Sequence, residues 1–142
     1  MLLLMGNSNT FKKVNYEDVQ VAIKNPEIHL LINVLSNEEQ SCLIKTTIQS
    51  IKEETIINNY LQKNKTIKII IYGKNSNDDT IIKKYQQLRN LGFSNVYIYI
   101  GGIFQWLLLQ DIYGEENFPT TSKCLDLLTY QETTAFNLRY ID

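Results

Sequence analysis

A chain of 142 residues is the size of one ordinary domain and is long enough to bury a full core. Its hydrophobic fraction of 44% and charged fraction of 20% are those of a soluble globular protein. A net charge of -1 argues against the basic face that a nucleic-acid binder needs.

The opening stretch, MLLLMGNSNTFKK, has an apolar run that stops at Met5. That is shorter than a signal-peptide core, and no basic residue precedes it. Gly6 is not at position 2, so myristoylation is not indicated. No stretch approaches the roughly 20 apolar residues of a membrane span. An intracellular, cytoplasmic protein with no membrane partner is expected. Lysine over arginine, with much isoleucine and asparagine, is the bias of an AT-rich genome.

Residues 1–13 read as an N-terminal extension. Asn15 is placed to cap a short helix, YEDVQVAIK, whose Val19, Ala22 and Ile23 share one face. The next segment, IHLLINVL, is too continuously apolar to be half exposed and reads as a strand buried on both faces, as in a parallel sheet. Ser36 and Glu39 form a capping box that opens a short helix. LIKTTIQ reads as a short strand and KEETIINNYLQK as a helix.

KIIIY is the next buried strand. A helix from Thr80 to Leu91 follows, with Ile81, Ile82, Tyr85, Leu88 and Leu91 as its apolar positions and Gly92 as its left-handed stop. NVYIYI is the last strand, broken by Gly101 and Gly102, and IFQWLLLQDIY is an apolar helix. Strands alternating with helices predict an α/β domain, residues 14–113, with a largely parallel central sheet. From Gly114 a less periodic tail, 114–142, holds a short helix near SKCLDLLTY, started by Thr121 or Ser122. Phe118, Phe136 and Tyr140 of the tail are expected to pack on the domain's own core.

Two cysteines, Cys42 and Cys124, stand far apart and match neither a disulfide framework nor a zinc-site spacing. Free thiols packed as small hydrophobes are expected. Neither a metal nor a cofactor is implied, since Asp78 and Asp79 are too few ligands to define a site.

The polar loop between KIIIY and its helix holds Gly73, Lys74, Asn75, Ser76, Asn77, Asp78 and Asp79, and Thr80 opens the helix. In α/β proteins, loops at the carboxyl ends of strands carry ligands and nucleophiles. This one has neither cysteine nor histidine. One of Asp78 and Asp79 is expected to cap the helix, where a carboxylate meets backbone N–H groups and the positive dipole end. Ser76 has no base assigned to it. His29, the single histidine, lies at the start of a strand, distant in sequence.

LGFSNVYIYIGGIFQW resembles the signature of rhodanese-like domains: Gly92 and Phe93, then Asn95, Val96 and Tyr97, then Gly101, Gly102 and Trp106. LLINVLSNEEQ looks like the family's Leu-Ile-Asp-Val-Arg strand and the Glu-Glu-Tyr helix after it, and VNYEDVQVAIKNPE is similar to the opening strand and helix. The resemblance spans Val14 to Leu109 and implies a three-layer α/β/α fold. It also implies a chemistry, sulfur transfer through a cysteine persulfide at the end of the central strand. There the family reads Val-Val-Tyr-Cys and this chain reads Ile70, Ile71, Tyr72, Gly73. Counting back from Gly92 moves the cysteine position to Asn75, and Asn77 offers no sulfur either. The family's Asp-Val-Arg is here Asn33, Val34 and Leu35; Lys74 is the remaining cation that could hold an anion.

The resemblance therefore implies a rhodanese-like module without sulfurtransferase activity, kept as a binding or structural module, with an unidentified protein as the partner if it binds one. A rival reading is a sulfurtransferase with a displaced nucleophile, Cys42 or Cys124. A third is a phosphate cradle like that of the phosphatases sharing the fold, which also rely on a cysteine.

Overall fold

The computed structural model describes residues 11–136. Five parallel strands form one sheet: β1 (Lys13–Val14), β2 (His29–Asn33), β3 (Thr47–Ile48), β4 (Lys68–Tyr72) and β5 (Val96–Tyr99), in the order β1-β5-β4-β2-β3. Four helices join them: α1 (Tyr16–Lys24), α2 (Ser50–Lys63), α3 (Thr80–Asn90) and α4 (Gly102–Tyr113).

The continuously apolar strands are explained by what covers them. Side chains alternate across a strand, so Ile70 and Tyr72 of β4 join a core with Val19 and Ala22 of α1 and with Ile103, Trp106 and Leu107 of α4. Ile69 and Ile71 enter the opposite core with Ile57 of α2 and with Ile81, Tyr85 and Leu88 of α3. The result is three layers, with helices on both faces of a parallel sheet.

Local signals set the element ends. The Asn15 side chain accepts from the Glu17 and Asp18 amides, and the Asp18 carboxylate accepts from the Asn15 amide, closing the box that starts α1. Gly92 ends α3 at φ +111°, a conformation that disfavours any side chain. Ser36 and Glu39 make the expected box, but it opens only a 3-10 turn, Asn37–Glu39.

The segment 43–49 departs from expectation. Only Thr47–Ile48 is strand, and α2 begins at Ser50. Leu43 and Ile44 are buried instead by the tail: Ile44 makes an antiparallel bridge with Thr120, and Leu43 and Thr121 exchange hydrogen bonds. The tail helix is likewise a 3-10 turn, Leu127–Tyr130, whose cap is Asp126 rather than Thr121 or Ser122. Those two residues hydrogen-bond the 41–43 backbone, which takes them out of any helix start.

Of the tail aromatics, Phe118 is buried against Trp106 and Tyr16, whereas Phe136 is 80% exposed. Tyr140 lies outside the described residues. The free-thiol expectation is overturned: Cys42 and Cys124 form a disulfide, with Cα atoms 5.8 Å apart across 82 residues of sequence. The tail returns along residues 41–45, and that return brings the two sulfurs together. Among the described residues no helix is long and apolar enough to cross a membrane.

Two positions carry much of this arrangement. Tyr72 is fully buried, and its hydroxyl accepts from the Ile44 amide at 3.0 Å and pairs with the Thr47 hydroxyl at 2.9 Å. Burial pushes its phenol well above the usual tyrosine range. A raised phenol contributes stability that is fully present below the unfolded-state value and is lost as pH rises past it. Tyr72→Phe should cost about 1–3 kcal/mol at pH 7, because it strands the Ile44 amide and leaves the Thr47 hydroxyl without this partner. Wild type should then lose about 1.4 kcal/mol more per pH unit than the variant above about pH 10. Urea unfolding at pH 7 and pH 11 measures both differences.

Gly102 has φ +69°, and a Cβ there would stand 2.6 Å from the Gly73 carbonyl oxygen and 2.9 Å from the Asn75 amide nitrogen. Gly102→Ala should destabilise the fold by about 2–4 kcal/mol, the sum of left-handed strain and backbone overpacking. Thermal unfolding of the variant measures it.

Candidate functional site

The chain leaves β2 toward β3 on one side and leaves β4 toward β5 on the other. The carboxyl ends of these adjacent strands are therefore a topological switch point, where open α/β sheets bind ligands. The loop 73–79 stands there.

Its path is set by α4. The Ile103 and Phe104 amides donate to the Gly73 and Lys74 carbonyls, both at 3.0 Å. In a trans peptide the following N–H points opposite to the carbonyl. The Lys74 amide is thus turned away from α4 and toward the loop's interior, where the Asp78 carboxylate accepts it. The Lys74 and Thr80 amides converge on one centre, as donors do in an anion cradle.

The cradle has an internal occupant. Asp78 Oδ2 accepts from the Lys74 amide at 2.9 Å, and its Oδ1 accepts from the Thr80 amide and hydroxyl. A Cβ placed on Gly73 would run into the same carboxylate. Asp78 is therefore the acid that ties off the helix start, while Asp79 occupies the cap position without a side-chain bond. Asn75 is buried: its Oδ1 accepts from the Asn77 amide, and its amide group donates to the Tyr130 carbonyl at 2.8 Å.

The tail lies on the loop's rim. Besides the Asn75–Tyr130 bond, the Ser76 hydroxyl donates to the Glu132 carboxylate. Lys74, the candidate anion holder, pairs with Glu39 at 3.3 Å. Burial raises the Glu39 carboxyl, but hydrogen bonds from the Ser36 amide and hydroxyl and the nearby Lys74 ammonium outweigh it and hold the group below its ordinary range. Burial, together with the negative Glu39, raises the Tyr130 phenol. A small open hollow of about 270 Å³ remains beside Lys74, Asn75, Asn77, Asp78 and Thr133.

Asn33 ends β2 beside this loop and is buried with every polar atom engaged. Its Oδ1 accepts from the Leu35 amide and from Gln40 Nε2, and its Nδ2 donates to Gln40 Oε1 and the Ile48 carbonyl. Gln40 Oε1 in turn accepts from the Ser50 amide. Leu35 is in the core. A neutral amide pair and an apolar side chain thus hold the positions where the resemblance predicts a carboxylate and a guanidinium.

The structure separates the remaining candidates. His29 is at the opposite, amino end of β2, with Nδ1 2.9 Å from the Asn25 carbonyl oxygen. Cys42 and Cys124 are bonded to each other. Trp106 is fully buried and donates to the Pro119 carbonyl, an anchor for the tail. Phe93 is buried in the α2–α3 core, and Gly101 precedes α4 at its start. Among the described residues no group of three or more His, Cys, Asp or Glu side chains could hold a metal ion. Gln40, Tyr130 and Glu132 were not legible as site residues. Glu39 was legible only as half of a capping box, and its pairing with Lys74 was not.

A family model, the rhodanese-like domain, matches residues 17–109. Among solved structures, the BH2092 protein of Bacillus halodurans is 22% identical, with a TM-score of 0.57 over 81% of this chain and 84% of that one. A thiosulfate sulfurtransferase of Pseudomonas aeruginosa is 19% identical with a TM-score of 0.56, over 74% of this chain and 20% of that one. Ygr203w, a yeast protein tyrosine phosphatase of the rhodanese family, is 14% identical with a TM-score of 0.55, over 80% of this chain and 94% of that one. No curated protein matches the chain. At these identities the solved structures establish the shared fold, and the match over 17–109 establishes the lineage: the chain belongs to the rhodanese-like domain family.

Proposed function

We propose that this domain is a non-catalytic rhodanese-like module that works by binding a protein partner. One observation carries the reading: the Asp78 carboxylate lies inside the loop, hydrogen-bonded to the Lys74 and Thr80 amides, against the position where Gly73 replaces a nucleophile. A fixed internal carboxylate repels a second anion in the same cradle. Thiosulfate, a persulfide and a phosphoryl group are all excluded by the same charge. The Asn75 and Ser76 bonds to the tail support the reading, since they cover the rim from which a substrate would enter.

The alternative, sulfur transfer from Cys42 or Cys124, requires a free thiolate. While the disulfide is closed, neither residue is one.

Sulfur transfer from thiosulfate or 3-mercaptopyruvate to cyanide should stay at background for wild type, Cys42→Ser and Cys124→Ser, with and without prior reduction. Turnover that disappears with one of the two substitutions would identify a displaced nucleophile and overturn the reading. Gly73→Cys should also stay at background and should unfold at lower temperature, because its side chain meets Asp78. Sulfur transfer by Gly73→Cys would show a cradle still open to anions, and would equally overturn it.

A further inference from the structure

The tail is attached to the domain in two stretches. The first, Phe118 to Ser122, is paired to residues 41–45 and to α4: the Lys45 amide and Trp106 Nε1 both donate to the Pro119 carbonyl, and the Ser122 hydroxyl donates to the Ser41 carbonyl. The second, Leu127 to Glu132, sits on the loop through the Asn75–Tyr130 and Ser76–Glu132 bonds and the buried Tyr130 ring. Between them Leu125 is 92% exposed. Cys124 stands at this junction, the point from which the second stretch would swing.

The partners of the disulfide differ in exposure. Cys42 is buried in the core around Tyr72, and Cys124 is half-buried. Cys124 also lines an open hollow of about 390 Å³ with Gln110, Asp111 and Lys123. Exchange therefore has an accessible sulfur to attack and a buried sulfur to release.

We propose that Cys42–Cys124 is a thiol–disulfide exchange site that latches the strap 125–133 over the loop. The co-reactant is a dithiol. One of its thiolates attacks Cys124 Sγ, forming a mixed disulfide and expelling the Cys42 thiolate, which takes a proton. The second thiolate of the reductant then displaces Cys124, which is also protonated. Two electrons pass to the protein, and the reductant leaves as a disulfide. A low-molecular-weight disulfide such as oxidised glutathione closes the latch by the reverse exchange. In a reducing compartment the latch rests open, and oxidation closes it. The inference stands on the strap's contacts and does not depend on whether the loop is catalytic.

Amide hydrogen exchange of the full chain, oxidised with glutathione disulfide and then reduced with dithiothreitol, tests this. Reduction should speed exchange across 125–133 by about tenfold or more and leave β4 unchanged, because local opening and global unfolding are separate events. Trypsin cleavage after Lys123 should accelerate in parallel. Cys124→Ser kept under oxidising conditions should match reduced wild type. Equal protection of the strap in both redox states would overturn the proposal, as would two alkylatable thiols after disulfide treatment. Equal loosening of β4 and the strap would also overturn it, by showing a staple for the whole domain rather than a latch.

Discussion

The carboxyl end of the sheet depends on the approach of Gly102 to the backbone that leaves β4. Two peptide groups of the loop spend their carbonyls on the first amides of α4, and any side chain at Gly102 would push them off. Once those carbonyls are committed, planarity of the peptide bond aims the Lys74 amide inward. The cradle is thus a consequence of how a helix seats on a loop, and it persists whether or not a nucleophile stands in it. The Gly101-Gly102 pair serves the backbone, and that role is independent of which residue stands at position 73.

An amide turned into the loop without a partner is costly, since the donor forgoes water without gaining a bond. Asp78 resolves this by supplying a carboxylate from within the same loop. The Asn33–Gln40 pair resolves a similar problem at the end of β2. A lone buried carboxylate there would need a cation, whereas two amides satisfy one another and the nearby Leu35 amide and Ile48 carbonyl without net charge. Both replacements turn groups that would face a ligand into groups that face the protein.

The layers were legible in the sequence because a strand covered on both faces must be apolar throughout, and KIIIY and HLLIN are. Asn15 and Gly92 were legible because each answers to a local requirement, an orphan amide in one case and a positive φ in the other. The segment 43–49 was not, because its burial comes from residues 118–122, more than 70 positions away, and no periodicity records that. The disulfide was hidden for the same reason: its spacing of 82 residues is meaningful only after the tail's path is known. Of the site, the missing cysteine and the acids at the helix start could be read directly. That Asp78 rather than Asp79 turns inward, and that Asn75, Ser76 and Glu132 bind across the rim, depended on contacts beyond the loop itself.

The two outermost strands, β1 and β3, are each two residues long. A sheet invites another chain wherever it offers a long row of unpaired backbone groups at its edge. Here the inner strands β4 and β2 carry five residues each, and the borders carry two. A foreign strand arriving at either border would find only two residues to pair with before the template ends. Brevity at the margins gives a core rich in isoleucine a defence against fibrillar growth.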